Sequence, residues 1–141
     1  SGNDVLARGL DLQASITYAH SVIKENAGFV AVPGDTIGKR QPNIPRWRAT
    51  LLASYRWSSA WSTSLGVRFS GRQFRTLDNA DVNGYTYFGV SKFFVVDLRA
   101  RWRIDKTFSA AFGIDNLNNY KYWNLHPYPQ RTYVAELKAD F

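Results

Sequence analysis

Residues 132–141 read TYVAELKADF, an alternation of apolar and polar side chains. Tyr133, Ala135, Leu137, Ala139 and Phe141 share one parity, and the charged residues share the other. Because successive side chains of a strand point to opposite faces, this period of two predicts a strand with one apolar and one polar face. The half-buried strand of a soluble antiparallel sheet has the same pattern, so this segment alone does not decide between lipid and water.

The same period recurs in five earlier segments, at residues 10–18, 46–57, 61–70, 94–103 and 107–115. Each has close to the roughly 9 to 11 residues that a tilted strand needs to cross a bilayer. No stretch of the chain keeps a helical period. The sequence therefore predicts an all-β protein built from six strands.

The connections between these segments are of two kinds. Residues 58–60 and 105–106 are short enough for tight hairpin turns, whereas residues 19–45, 71–93 and 116–131 are long and rich in Gly, Asn, Asp, Pro and Arg. Tight turns at one end and long loops at the other are typical of outer-membrane barrels, whose turns face the periplasm. We therefore predict antiparallel, up-and-down transmembrane β-barrel strands with the long loops outside the cell.

Aromatic residues are sorted by height along the predicted apolar face, with aliphatic residues between two aromatic levels. Membrane barrels carry such girdles at both interfaces, and a soluble sandwich has no reason to sort its aromatics in this way. Lipid should therefore solvate this face. The predicted membrane-interface residues are Tyr18, Trp47 and Phe69 at the loop ends, and Tyr55, Trp57, Trp61 and Trp102 at the turn ends.

Six strands do not close a membrane barrel. Single-chain outer-membrane barrels begin at about 8 strands, and an open edge in lipid would leave backbone groups unpaired at several kcal/mol each. No signal peptide is visible at Ser1. We therefore expect residues 1–141 to be the C-terminal segment of a larger barrel, with the remaining strands upstream.

Two segments resemble a known family. GIDNLNNYKY at residues 113–122 and YPQRTY at residues 128–133, followed by the final strand to Phe141, look like the closing part of TonB-dependent outer-membrane receptors. Gly38-Lys39 with Pro42 and Pro45 is similar to the family's loop before a strand. Gln130 departs from the glycine common before that arginine.

The resemblance implies a barrel of 22 strands with an N-terminal plug in its lumen, in the outer membrane of a Gram-negative bacterium. Such receptors import ferric siderophores, haem, cobalamin or other scarce ligands with energy transmitted by TonB. Neither the plug nor the TonB-contacting region lies in these 141 residues. A ferric siderophore is the expected ligand because it is the commonest of the family, and no enzymatic activity is expected.

The resemblance also suggests partners for folding and for the outer surface. Tyr133, Leu137 and Phe141 match the terminal signal read by the barrel assembly machinery, although Phe141 would equally suit the periplasmic girdle. Outer-membrane lipid and lipopolysaccharide are the expected surroundings.

Formal net charge is +7, and many arginines occupy the polar face of the strands. A basic lumen would attract an anionic ligand, but these arginines also suit pairing with carboxylates of neighbouring strands and of the plug. Because loops carry recognition, the better candidates for ligand contact are Arg72, Arg75, Tyr85, Tyr87 and His126. Lipopolysaccharide phosphates, simple solvation or, for His126, a conformational role in the loop are the alternatives.

Other classes of function find less support in the sequence. With two histidines and no cysteine, no structural metal spacing, cofactor site or catalytic triad is indicated. A soluble lectin-like sandwich remains a rival, in which the apolar face is an inter-sheet core. A nucleic-acid-binding domain is disfavoured, because the arginines and the aromatics occupy opposite faces.

Overall fold

The computed structural model describes residues 2–4, 7–28 and 31–140 of the chain, so Phe141 lies outside the described residues. A 3-10 turn at Pro33–Asp35 lies in the first long loop. In the described part of the chain, no helix is long and apolar enough to span a membrane. The strands are β1 (Gly2–Asn3), β2 (Leu10–Tyr18), β3 (Trp47–Arg56), β4 (Trp61–Ser70), β5 (Phe93–Arg103), β6 (Phe108–Asp115), β7 (Trp123–Asn124), β8 (His126–Pro127) and β9 (Thr132–Ala139).

One antiparallel sheet contains the six predicted strands. Its order is β1-β2-β3-β4-β5-β6-β9, so each long strand pairs with the long strand next to it along the chain, as an up-and-down topology requires. The prediction of six antiparallel strands is confirmed. The sequence reading missed β1, which extends the edge at β2, and the β7–β8 hairpin inside the last loop, because two-residue strands carry no detectable period.

In the middle of the apolar face, strand register places apolar residues opposite apolar residues. Leu51 of β3 lies between Ala14 of β2 and Val67 of β4, and Leu65 pairs with Leu98 of β5. A slip of one residue would move every side chain to the other face, so this pattern fixes the register.

Both tight connections are held by short polar side chains. In the turn between β3 and β4, the Ser58 hydroxyl accepts hydrogen bonds from the backbone N–H groups of Ala60 and Trp61, each at 3.1 Å. In the turn between β5 and β6, the Asp105 carboxylate accepts from the N–H groups of Thr107 and Phe108, each at 2.7 Å. Such local bonds are the reason that Ser and Asp favour turns.

The apolar face of the sheet is exposed, and the small buried core lies elsewhere. Ile16 and Leu137 on the apolar face are 73% and 71% exposed. The buried apolar side chains include Val90, Val95 and Tyr122, which lie at the loop end of the molecule. A lectin-like sandwich would bury the apolar face against a second sheet. In the residues that the structure describes, no such layer covers it.

Candidate functional site

The polar face of the sheet carries ion pairs between neighbouring strands. Nη2 of Arg68 lies 2.9 Å from Asp97 Oδ2 on β5, and Nη2 of Arg99 lies 2.6 Å from Asp115 Oδ1 on β6. Arg56 lies 3.5 Å from a carboxylate oxygen of Asp4, as well as near Asp11. Three of the arginines that the sequence placed on this face therefore have partners within the sheet, in line with the pairing interpretation.

Arg99 depends on a glycine of the neighbouring strand. A Cβ atom added to Gly113 would lie 2.6 Å from Cδ of Arg99 and 2.7 Å from its Cζ, well inside contact distance. The arginine side chain thus runs directly over Gly113 on its way to Asp115. A glycine in a strand interior is otherwise unfavourable, and here it admits the close approach of another group.

The family-like segment at residues 113–122 forms a turn closed by its own asparagine. Asn116 has a φ of 52°, a left-handed conformation that asparagine tolerates better than most residues. Its side-chain Oδ1 accepts from the Tyr120 N–H at 2.8 Å, and its Nδ2 donates to the Tyr120 carbonyl at 2.9 Å. Its backbone N–H donates to Asp97 Oδ1 at 2.9 Å, which links the turn to the Arg68–Asp97 pair.

A second asparagine of this turn completes the loop end of β5. Pairing between β5 and β6 begins at Leu98, so the part of β5 that precedes Leu98 has no strand partner on its β6 side. The Asn118 side chain accepts from the Val96 N–H at 3.1 Å and donates to the Phe94 carbonyl at 2.8 Å. Its amide therefore satisfies backbone groups that a neighbouring strand would otherwise bond.

The third long loop, residues 116–131, folds over the polar face. Tyr122 is 6% exposed, and its ring centroid lies 5.0 Å from that of Phe93 and 4.7 Å from that of Tyr128. Burial raises the pKa of Tyr122, although the positive charge of nearby Arg68 opposes the shift. The loop therefore covers the polar side of the sheet at its loop end and leaves the apolar side open.

The second long loop, residues 71–92, is joined to the third by backbone hydrogen bonds. The Ser91 N–H donates to the Trp123 carbonyl at 3.0 Å, and the Trp123 N–H donates to the Ser91 hydroxyl at 2.9 Å. The Phe88 N–H donates to the Leu125 carbonyl at 2.7 Å, and the Leu125 N–H donates to the Gly89 carbonyl at 2.8 Å. Two loops that are distant in sequence thus form one surface.

An aromatic cluster of Tyr87, Phe88, Trp123 and His126 lies on this surface. The Tyr87 ring centroid is 5.2 Å from Trp123 and 6.0 Å from His126, and Phe88 is 6.3 Å from His126. Tyr87 and Phe88 are 63% and 68% exposed. Phe88 and Leu125 have φ angles of 62° and 68°, which bulky residues adopt at a cost of roughly 1–3 kcal/mol. The loops thus hold exposed aromatic rings in a fixed and strained arrangement.

The two candidate arginines of the second loop lie in different surroundings. Arg75 Nη1 donates to the Phe88 carbonyl, so Arg75 adjoins the aromatic cluster. Its backbone N–H donates to Asp81 at 2.7 Å. Burial acts to raise the pKa of Asp81, but this hydrogen bond and those from Thr76 outweigh it and lower the pKa. Arg72 instead donates to the Val82 carbonyl at 2.9 Å.

Tyr85 contacts the third loop through its hydroxyl. The Tyr85 and Tyr120 hydroxyl oxygens are 3.3 Å apart. This hydrogen bond, with partial burial and the neighbouring phenol, raises the pKa of Tyr85 to about 12. Tyr87 and His126 thus belong to one cluster that Arg75 joins through Phe88, whereas the side-chain contacts of Arg72 and Tyr85 in the described part of the chain are with other residues. Sequence reasoning missed Phe88 and Trp123, whose only sequence signal was their aromatic character in a loop.

Several of the predicted interface residues form ring pairs at the two ends of the strands, and the described assembly candidates Tyr133 and Leu137 lie on the apolar face. Trp61 and Trp102 stack with ring centroids 5.3 Å apart at the turn end, and Tyr18 and Trp47 lie 4.7 Å apart at the loop end. Tyr133 and Leu137 are exposed on the apolar face of the edge strand β9. Among the described residues, no group of three or more His, Cys, Asp or Glu side chains could hold a metal ion.

A single antiparallel layer with one exposed apolar face, tight turns and long loops defines the wall of a membrane barrel. A family model described as TonB dependent receptor-like, beta-barrel matches residues 2–117. The chain therefore belongs to the TonB-dependent receptor family, whose members are outer-membrane barrels of Gram-negative bacteria. The match ends before the closing segment, residues 128–141. A comparison with curated proteins gives no match.

Solved structures share the fold over nearly the whole chain. A variant of the ferric enterobactin receptor PfeA from Pseudomonas aeruginosa is 19% identical over 96% of this chain and 20% of its own, with a TM-score of 0.69. The unliganded ferric citrate transporter FecA is 20% identical over 94% of this chain and 21% of its own, with a TM-score of 0.75. The copper transporter OprC is 19% identical over 96% of this chain and 22% of its own, with a TM-score of 0.65. The chain thus spans about a fifth of the length of these transporters.

Proposed function

We propose that residues 1–141 form the C-terminal part of the barrel of a longer TonB-dependent receptor, which imports a scarce ligand across the outer membrane. This proposal rests on the difference in chemistry between the two faces of the sheet. The apolar face is exposed in a single layer, and the polar face carries the ion pairs and lies under the long loops. Lipid outside and a ligand pathway inside account for both features.

The ligand we propose is a ferric siderophore or a similar small ferric complex. Two of the similar structures are a ferric enterobactin receptor and a ferric citrate transporter. The polar face and the loops of this chain are rich in arginine, which favours an anionic ligand by long-range attraction. TonB would supply the energy through a plug region upstream of this segment, and the barrel assembly machinery would insert the barrel among lipid and lipopolysaccharide.

Within the loops, we propose that the aromatic cluster and Arg75 contact this ligand. Strained backbone that persists at exposed aromatic residues is more readily explained by a binding role than by stability. The positive φ of Phe88 supports this view, because Gly or Asn at that position would relieve the strain but remove the ring. Arg72 and Tyr85 would contact the ligand from separate positions.

An uptake experiment tests the proposed function. Cells that express the full-length receptor are given a ⁵⁵Fe-loaded siderophore, with and without a functional TonB. Uptake should require TonB, while binding at the cell surface should persist without it. Equal uptake in both strains would refute energy coupling, and the absence of both binding and uptake for every ferric complex tried would refute the ligand class.

A matched pair of variants tests the aromatic cluster. Tyr87→Ala should weaken siderophore binding per receptor, because it removes an exposed ring from the loops. Tyr18→Ala removes a tyrosine of similar exposure from the apolar face. It should lower the amount of receptor in the membrane without changing affinity. If the two variants bind the siderophore with equal affinity, the aromatic cluster is not part of the ligand site.

A further inference from the structure

Two arginines lie over one aromatic ring where the first and second long loops meet. Cζ of Arg40 is 4.5 Å from the centroid of the Phe74 ring, and Cζ of Arg72 is 4.6 Å from the same centroid. The two guanidinium carbons are therefore at most 9.1 Å apart, the sum of these two distances. A ring face attracts each cation, but it neutralises neither charge.

A third arginine belongs to the same cluster. In the β3–β4 register Arg48 lies opposite Ser70, and the ladder continues through a 2.9 Å hydrogen bond from the Gly71 N–H to the Trp47 carbonyl. Continued by one more position, this register would bring Arg46 opposite Arg72, and the charges of both act on Arg40. Like charges directly opposite each other on adjacent strands are unfavourable.

The backbone around the cluster is held in place by side-chain and main-chain bonds. Asn79 accepts from the Arg40 N–H at 2.8 Å and donates to the Arg40 carbonyl at 2.9 Å, so one amide clamps both backbone groups. The Asn43 N–H donates to the Phe74 carbonyl at 2.7 Å. These bonds hold the backbones of Arg40 and Phe74 close together, which keeps the Arg40 guanidinium within reach of the ring.

The cluster has no carboxylate to balance it within the described residues. Arg40, Arg46 and Arg72 form no ion pair there within 4.0 Å, whereas Arg56, Arg68 and Arg99 on the same sheet all do. Of the three cluster arginines, Arg72 alone donates a side-chain hydrogen bond to another described residue. Burial and then the positive charges of Arg46 and Arg72 lower the pKa of Arg40. Most of the guanidinium N–H donors are thus available to a ligand.

We propose that Arg40, Arg46 and Arg72 form an anion-binding site for a small ligand with several negatively charged oxygen atoms, such as carboxylates. Planar guanidinium groups match such oxygens in bidentate geometry, and a polyanion would neutralise several of these neighbouring charges at once. The sequence did not suggest Arg40 as a ligand candidate, and Arg46 was considered only as one of the polar-face arginines, for which carboxylate pairing was the alternative. The site deepens the proposed function, on which it rests, because it restricts the imported complex to an anionic one.

Calorimetric titration with citrate, a tricarboxylate, tests the site in the purified full-length receptor. The Arg40→Gln/Arg46→Gln double variant removes two charges and leaves Arg72 on the Val82 carbonyl. The Arg101→Gln/Arg103→Gln double variant removes the same charge at the turn end of the polar face. Citrate affinity should fall at least tenfold in the first variant and stay within about twofold in the second. Added NaCl should weaken binding to the wild type more than to the first variant.

Several results would overturn the site. The site is contradicted if the wild-type receptor does not bind citrate. It is also contradicted if the two double variants lose citrate affinity equally. A parallel titration with lipopolysaccharide separates the other source of anionic oxygens, because loss of lipopolysaccharide binding with unchanged citrate binding would assign the cluster to the membrane surface. Thermal melting of both variants checks that they fold alike.

The uptake assay keeps this proposal separate from the proposed function. TonB-dependent uptake with unchanged citrate affinity in the first variant would refute the anion site alone. Arginine-dependent citrate binding by a receptor that takes up no ferric complex would refute the proposed function alone.

Discussion

Leu51→Arg places a charge at the middle of the apolar face. Leu51 lies four residues from both Trp47 and Tyr55 on β3, or roughly 14 Å along the strand from each predicted aromatic girdle. Its neighbours across the sheet are Ala14 and Val67, and its side chain is 38% exposed. Nothing polar in this row offers an arginine a partner, so the substituted side chain would meet lipid.

The expected cost follows from the depth of the site. An arginine at the midplane of a membrane barrel costs about 2 to 4 kcal/mol, which corresponds to roughly 30- to 1,000-fold in the folding equilibrium. Near an interface the cost would fall to about 0 to 1 kcal/mol. Because Leu51 lies midway between the two aromatic levels, we expect the midplane cost of about 2 to 4 kcal/mol for Leu51→Arg.

The adjacent residue provides a control with the same substitution. Leu52 belongs to the same strand at the same height, is 45% exposed, and lies on the polar face between Gln13 and Gly66. Leu52→Arg should cost less than about 1 kcal/mol because the lumen of a barrel is polar. Leu51→Ala separates the loss of the leucine from the gain of the charge.

Urea titration of the full-length receptor in lipid bilayers measures the three free energies of unfolding, and the amount of folded receptor in the outer membrane of cells provides a second measure. The Leu51→Arg variant should be less stable than the Leu52→Arg variant by at least about 1 kcal/mol. Equal stabilities would show that lipid does not solvate the apolar face, and the assignment of the two faces would be refuted.

Three further outcomes are expected. Gly113→Ala should destabilise the receptor by about 1 to 3 kcal/mol because the new methyl group displaces Arg99; in an Arg99→Ala background the cost should largely vanish, and an unchanged cost in that double-mutant cycle would contradict the explanation. Tyr85 should ionise near pH 12. The stability that its contact with Tyr120 contributes is therefore fully present below about pH 10, the unfolded pKa, and is lost as the pH rises through 12. The difference between spectrophotometric titrations of the wild type and of Tyr85→Phe isolates this residue, and a difference curve centred near pH 10 would refute the expectation. Deletion of Phe141 should lower the outer-membrane level of the receptor more than the stability of the folded form, and equal losses would leave no assembly role for that residue.

The sequence by itself determined the strands and their faces. A period of two is a local property of the chain, because each side chain points opposite to its neighbour whatever the rest of the molecule does. The predicted bounds agree with the structure to within one or two residues, as at β5, which begins at Phe93. The tight turns could also be predicted, since the Ser58 and Asp105 side chains bond to backbone groups within three residues.

Only the tertiary structure decided what the loops do. Loop residues have no period, and their positions follow from bonds between distant parts of the chain, such as those of Asn79 with Arg40 and of Ser91 with Trp123. Sequence reasoning placed Arg72 and Arg75 side by side as ligand candidates. The structure gives them different contacts, because Arg72 donates to the Val82 carbonyl and Arg75 to the Phe88 carbonyl. Arg40 and Arg72 both lie over the Phe74 ring, although Arg40 and Phe74 are 34 positions apart in the sequence. The sequence could not predict this contact, because it forms only when the strands between the two loops have paired.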